Sequence, residues 1–132
     1  MSFAIDFNHA MIYTADVSRS LGFYRDRLGF EVIEIYRNAY ARLKSGSGTI
    51  AIHLTAPDQQ VDPAREGVRL YFEVQDLEAF CEHLRQQGVE FDQLPKRMPW
   101  GWRHAYLRDP DGHEISLYWA GQARFEKTAM AE

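Results

Sequence analysis

The sequence repeats one pattern of elements at an offset of 60 residues, and this repeat constrains the fold more than any other feature. Asp16 and Asp76 each follow a strand-like run and precede apolar residues at helical spacing, as N-cap residues do. Gly29 and Gly88 end the two helical runs, one residue out of step with the offset. The further strand-like runs after each helix are EVIEIYR, YARLKSG and GTIAIHL, then VEFDQL, RHAYLRD and HEISLYW. The pattern predicts an α+β fold made by tandem duplication, with βαβββ in each half.

The predicted turns between strands have suitable chemistry. Ser45-Gly46-Ser47-Gly48 separates two strand-like runs of the first half, and Asp109-Pro110-Asp111-Gly112 does the same in the second. We interpret the second tetrapeptide as a tight hairpin turn without chemistry of its own. It fixes the position of the last strand.

Length and composition exclude several classes of function. A chain of 132 residues, 45% hydrophobic, is expected to bury one core, in a single domain over residues 1–122 with modules at about 5–60 and 66–120. Residues 123–132 are expected to form a polar tail or a short helix that contacts a dimer partner. The 15 basic and 19 acidic residues are scattered and give a net charge of −4, so no basic stripe is available for nucleic acid.

The same sequence favours a cytoplasmic protein. No apolar run approaches the ~20 residues of a membrane span, so no membrane partner is expected. Residues 1–7 include Asp6 and lack the pattern of a secretory signal. Cys81 is the single cysteine, so no internal disulfide can form, and it is predicted to be a small core residue.

The segments NHAMIYTADVSRSLGFYRDRLGF, LYFEVQDLEAFCEHLRQQGVEF and YLRDPDGHEISLYW resemble the vicinal oxygen chelate superfamily. That superfamily includes glyoxalase I, extradiol dioxygenases and bleomycin-resistance proteins, and the resemblance covers nearly the whole chain. It implies two βαβββ modules that form a cupped, half-barrel mixed sheet, with the helices outside and a pocket inside. It also implies a small-molecule ligand and a homodimer, because a cupped sheet leaves strand edges to cover.

The resemblance also implies where a metal would bind. Members with a metal place its ligands on the first and last strand of each module, and those four positions match His9, His53, Arg69 and Ser116. Arginine has no lone pair to donate, and a neutral serine hydroxyl is a poor ligand. Two of the four ligands are therefore missing, both in the second half.

Several residues beside these positions have two interpretations each. Glu114 shares a face with Ser116 and is either a substitute carboxylate ligand or a residue of the pocket rim. Arg69 shares a strand face with Tyr71 and Glu73. It either binds an anionic ligand or forms an internal ion pair with Glu73 or Glu114.

The aromatic and histidine residues of the second half are also open to two interpretations. Trp100 and Trp102 either stack on a planar ligand or close the end of the barrel. His104 and His113 are predicted to be structural or surface residues.

Three functions follow from these residues. The first is a protein that binds a small aromatic or anionic molecule without a catalytic metal, using His9, His53, Arg69, Tyr71, Trp102, Glu114 and Ser116. The second is a lyase, isomerase or extradiol-type dioxygenase in which His9 and His53 hold a weakly bound divalent metal (Fe, Zn, Ni or Mn) and Glu114 or Glu73 moves a proton. The third is an accessory module whose own side chains fill the pocket.

Overall fold

The computed structural model describes residue 4 and residues 8–55, 68–99 and 101–126. The chain forms two compact units, residues 1–61 and 62–132. Each unit contains a four-stranded mixed sheet and one helical segment between its first two strands. The predicted α+β class and the two βαβββ modules are therefore confirmed.

The first unit runs through β1 (His9–Thr14), α1 (Val17–Leu21), β2 (Glu31–Tyr36), β3 (Tyr40–Ser45) and β4 (Gly48–Leu54). A π-helical segment over Gly22–Arg27 continues α1. The strand order is β1-β4-β3-β2, with β1 parallel to β4 and the other pairs antiparallel.

The second unit contains β5 (Arg69–Glu73), α2 (Leu77–Gln86), β6 (Phe91–Arg97), β7 (Arg103–Arg108) and β8 (Glu114–Trp119), followed by a 3₁₀ helix (Gly121–Phe125). Its strand order, β5-β8-β7-β6, repeats that of the first unit, with β5 parallel to β8. Strand β6 continues past the predicted VEFDQL run and includes Pro95. It tolerates this proline because it is an edge strand, where a missing N–H need not break the ladder.

The helix boundaries agree with the sequence at all four positions. The Asp16 side chain accepts a hydrogen bond from the backbone N–H of Arg19, at 3.3 Å. Gly29 and Gly88 follow their helices with φ of 83° and 88°. Asp76 stands at the N-cap of α2, as predicted, although its side chain makes no capping hydrogen bond. Its carbonyl oxygen instead accepts the Phe80 N–H, which begins the helix.

Each helix covers one face of its own sheet. Helix α2 buries Leu77, Cys81 and Leu84 on the side of the sheet where Leu107 and Leu117 are also buried. Burial, with a smaller contribution from Glu78, raises the pKa of the Cys81 thiol to about 11, which fits its predicted place in the core. No helix in the described part of the chain has the length and hydrophobicity needed to cross a membrane.

Candidate functional site

The face of the second sheet opposite α2 carries most of the predicted site. Side chains alternate along each strand, so the strand register arranges this face in rows across β5, β8 and β7. The three rows are Arg69, Glu114 and Arg108; then Tyr71, Ser116 and Tyr106; then Glu73, Tyr118 and His104.

The first row is a chain of charges. Both Nε and one terminal nitrogen of Arg69 approach the same oxygen of Glu114, at 3.2 and 3.1 Å. The other oxygen of Glu114 faces Arg108 at 3.7 Å, and Arg108 also pairs with Asp92 at 3.1 Å. Of the two ion pairs that the sequence suggested for Arg69, the structure contains the one with Glu114. Glu73 instead accepts hydrogen bonds from the backbone N–H groups of residues 120 and 121.

A cavity of about 260 Å³ opens beside this charged row. Its lining includes Arg69, Tyr106, Arg108 and Glu114. The Arg69 guanidinium lies 4.5 Å from the centroid of the Tyr106 ring, in cation–π contact. Asp92 also lines the cavity, which therefore combines two guanidinium groups, two carboxylates and an aromatic ring.

An aromatic cluster adjoins the cavity; its members are Tyr71, Trp102, His104, Tyr106 and Tyr118. The His104 ring is nearly parallel to those of Tyr118 and Tyr106, with centroids 5.4 and 5.8 Å away. Trp102 stacks on both Tyr118 and His104, at 5.9 and 6.3 Å. Tyr71 presents its ring edge-on to His104, and 52% of the residue is exposed. The cluster offers aromatic surface to a planar molecule.

His104 is the centre of the cluster. It is 2% exposed, and its Nδ1 lies 2.9 Å from the buried Oγ of Ser116. Burial, and then the positive charge of Arg69, lower the pKa of His104, so its imidazole is neutral at pH 7. The prediction of a structural or surface residue is thus resolved in favour of the buried one. Ser116 is fully buried as well and is engaged with His104.

The sequence interpretation did not single out Tyr106, Arg108 or Tyr118. The strand pattern could have identified the two tyrosines. Tyr118 shares a face with Ser116 and Glu114, and Tyr106 shares a face with His104, because every second residue of a strand points the same way. Trp102 lies beside His104, whereas Trp100 is outside the described residues.

In the first unit, His9 and His53 share the face opposite α1. The register pairs His9 with Thr49 and His53 with Tyr13, so the two histidines are four positions apart along parallel strands. Four strand residues correspond to roughly 13 Å, which is far for two side chains that hold one ion. His53 instead lies between the rings of Tyr13 and Tyr40, at 5.9 and 6.3 Å.

Both histidines are oriented by a hydrogen bond at Nδ1. His53 Nδ1 lies 2.7 Å from the Leu54 carbonyl oxygen, and His9 Nδ1 lies 2.7 Å from the Asn8 Oδ1. Because an oxygen of either kind only accepts, each Nδ1 carries a hydrogen, and Nε2 is the ring nitrogen that can offer a lone pair to a metal. Metal-binding histidines are commonly oriented in this way.

A comparison of the strand registers in the two sheets shows which residues occupy equivalent positions. Met11 pairs with Ala51 in the first sheet, and Tyr71, 60 residues later, pairs with Ser116 in the second. Ala51, rather than His53, is therefore the equivalent of Ser116. Glu114, the substitute carboxylate considered from the sequence, is bound to Arg69. At the matched positions of the second sheet, Arg69 has no lone pair to donate and Ser116 offers a neutral hydroxyl, which is a poor ligand. A metal held by His9 and His53 stays a prediction.

Asp109, Asp111 and His113 are a cluster whose ligand atoms lie within 4.8 Å of one another. The Asp109 carboxylate accepts hydrogen bonds from the backbone N–H groups of Asp111 and His113 and lies 2.7 Å from the His113 ring nitrogen. The Gly112 N–H donates to the Asp109 carbonyl oxygen, at 2.9 Å. These contacts build the predicted hairpin turn, and they give His113 the structural role that was expected.

Comparisons with known proteins identify relatives over most of the chain. The model of the Glyoxalase/Bleomycin resistance protein/Dioxygenase superfamily matches residues 6–117. Uncharacterized protein YwkD of Bacillus subtilis (strain 168) is 32% identical over 120 residues, which cover 84% of this chain and 94% of that protein. A lactoylglutathione lyase of Haemophilus influenzae is 28% identical, with 83% and 88% covered.

A solved structure of a bleomycin-binding protein complexed with bleomycin has the same fold. Its TM-score is 0.68 at 21% identity, and the match covers 88% of this chain and 99% of that one. At this identity the likeness shows the fold alone.

Proposed function

Because the chain belongs to the Glyoxalase/Bleomycin resistance protein/Dioxygenase superfamily, we propose that it binds a small aromatic molecule on the aromatic cluster of its second sheet, without a catalytic metal there. The observation that carries this proposal is the cluster itself, next to a cavity of about 260 Å³. The bleomycin complex supports the use of this fold to hold a small molecule.

The chemistry of the second module favours binding over metal catalysis. Arg69 and Ser116 stand where metal-binding relatives are expected to have ligands, and both already have partners within the sheet. A cation near Arg69 would be repelled by the guanidinium charge. By contrast, an aromatic ligand could contact the half-exposed ring of Tyr71 without breaking any of these contacts.

Binding of a simple aromatic probe tests the proposal. Isothermal titration calorimetry with 2-naphthamide, a neutral two-ring molecule, is expected to give saturable 1:1 binding with a Kd below about 1 mM. The size of the cavity and the aromatic walls beside it are the reason for choosing this probe. Absence of saturable heat up to millimolar probe, confirmed by unchanged tryptophan fluorescence, would contradict the proposal.

A second candidate is favoured by the orientation of His9 and His53. With both Nδ1 atoms hydrogen-bonded to oxygen, both Nε2 lone pairs are available to a divalent metal such as Fe, Zn, Ni or Mn. A lyase, isomerase or extradiol-type dioxygenase would use such an ion. The four-position offset between the two histidines counts against this candidate.

Metal content separates the two candidates. The protein, purified without chelators or a histidine tag, is expected to contain far less than one metal per chain by mass spectrometry, even after loading with Fe, Zn, Ni or Mn. His9→Ala and His53→Ala should leave that content unchanged, as should His83→Ala on the exposed side of α2. Near-stoichiometric metal that both variants lose and His83→Ala keeps would establish the metal-dependent candidate instead.

We also propose that the protein is a cytoplasmic homodimer that binds neither nucleic acid nor membranes. Each described sheet has two edge strands, β1 and β2 in the first and β5 and β6 in the second. Edge strands present unpaired backbone groups, which a second copy of the chain can cover.

A further inference from the structure

We propose that the ligand is an aromatic carboxylate, and that Glu114 occupies the place of the ligand's carboxylate while the protein is unliganded. This inference rests on the proposed function and adds to it the charged group of the ligand. It assigns Arg69 as the residue that anchors the ligand.

The geometry around Glu114 is that of a bound anion. One carboxylate oxygen faces both Nε and a terminal nitrogen of Arg69, within 3.2 Å, and the other oxygen faces Arg108 at 3.7 Å. A guanidinium recognises a free carboxylate with the same groups. A ligand carboxylate can therefore take over the contacts that Glu114 makes with Arg69.

Replacement of Glu114 by the ligand carboxylate at Arg69, called the exchange below, costs little because the Arg69–Glu114 ion pair is partly open to water. The Arg69 and Glu114 side chains are 35% and 32% exposed. Ion pairs that reach solvent contribute little to stability, so breaking this one is a small loss. After the exchange, Arg69 is paired again, and Glu114 keeps water and the nearby Arg108 guanidinium as partners.

An aromatic carboxylate would make ring contacts with the aromatic cluster, which the Glu114 side chain cannot make. The Tyr106 ring lies under the Arg69 guanidinium and 5.8 Å from the His104 ring, so it joins the charged row to the aromatic cluster. A carboxyl group attached directly to a ring would place its charge on Arg69 and its ring against the cluster. The cavity of about 260 Å³ is close to the lower end of small-molecule pockets, which favours one or two rings.

A paired set of probes and variants tests the exchange. We compare 2-naphthoate with 2-naphthamide, which have the same rings, against the wild type, Glu114→Gln, Arg69→Gln and Glu78→Gln. The Glu78→Gln control also removes one negative charge beside an arginine, but its partner Arg103 lies on the helix-covered face of the sheet. Any general effect of net charge is therefore common to Glu114→Gln and Glu78→Gln.

Loss of the internal competitor should strengthen binding of the acid alone. We expect Glu114→Gln to bind 2-naphthoate roughly 10-fold more tightly than the wild type does, with 2-naphthamide changed less than about 2-fold. Glu78→Gln should change the affinities for both probes by less than about 2-fold, since an exposed charge on the other face of the sheet is screened by salt. Arg69→Gln should remove the preference for 2-naphthoate over 2-naphthamide, and urea unfolding verifies that each variant is folded.

The outcomes separate this inference from the proposed function. If Glu114→Gln leaves 2-naphthoate binding unchanged or strengthens both probes equally, the exchange is overturned, while binding of 2-naphthamide still upholds the aromatic site. The exchange is also overturned if Glu78→Gln matches Glu114→Gln. If neither probe binds the wild type or Glu114→Gln, both the inference and the proposed function are overturned.

Discussion

Replacing Trp102 with alanine is expected to weaken binding of 2-naphthamide about 10-fold. The indole stacks on the rings of Tyr118 and His104, with interplanar angles of 16° and 17°, so it forms one side of the aromatic cluster. Its removal takes away contact surface for a planar ligand and lets water reach the neighbouring rings. Isothermal titration calorimetry measures the change, since a 10-fold loss corresponds to about 1.4 kcal/mol.

Trp119→Ala is the matched control for this variant. Trp119 ends strand β8 and is 41% exposed. It follows Tyr118 directly along the strand, so its side chain lies on the opposite face, the one that carries α2. Its loss should change the Kd of the probe by less than about 2-fold, because rim or remote truncations are close to neutral. Equal losses in the two variants, or no loss in Trp102→Ala, would move the binding site away from the aromatic cluster.

The sequence predicted the fold well because local signals agreed with one another. Asp16 begins a helix, and Gly29 and Gly88 end helices, for reasons of backbone chemistry that hold in any context. The repeat at 60 residues shows the same pattern in both halves, so each half supports the prediction for the other. The prediction was wrong at β6, which continues past the predicted run through Pro95 because it is an edge strand. Asp76 occupies the predicted N-cap position, but its side chain makes no capping hydrogen bond.

The candidate site was harder to predict, because it depends on register between distant strands. Residue spacing placed His9 and His53 on the correct faces, but the pairing of β1 with β4 sets their separation, and no local signal encodes it. The partner of Arg69 was one of two acidic residues, 4 and 45 positions away in the chain, and β5 and β8 bring the distant one beside it. Burial of His104 likewise follows from the strands around it.

Replacing Ser116 with glutamate is expected to destabilise the protein by at least about 3 kcal/mol at pH 7. The substitution restores the carboxylate that metal-binding relatives are expected to have, but Ser116 is fully buried against His104. An ionised carboxylate without a cation is costly there, because the guanidinium groups of the neighbouring row, Arg69 and Arg108, are already paired with Glu114 and Asp92. Thermal unfolding should show a decrease in Tm of roughly 10 °C.

Ser116→Gln separates the charge from the size of the new side chain, since glutamine has nearly the same shape. Overpacking should cost about 1–3 kcal/mol in both variants at every pH. The extra cost of Ser116→Glu arises from burial, which raises the pKa of the new carboxyl above its unfolded value near 4.3. Its penalty is therefore absent below that pH and grows as the pH rises from 5 to 7, whereas the penalty of Ser116→Gln stays constant.

The same pair of variants also tests the metal-dependent candidate from the opposite direction. If the second sheet can take part in metal binding at its matched positions, the carboxylate in Ser116→Glu would gain a cation as its partner. Added Zn or Ni would then restore the Tm of Ser116→Glu and leave that of Ser116→Gln unchanged. We expect neither Tm to respond, because Arg69, the other matched position of the second sheet, has no lone pair to donate to a metal. A metal response confined to Ser116→Glu would show that loss of this one carboxylate, rather than the whole arrangement of the sheet, separates the chain from its metal-binding relatives.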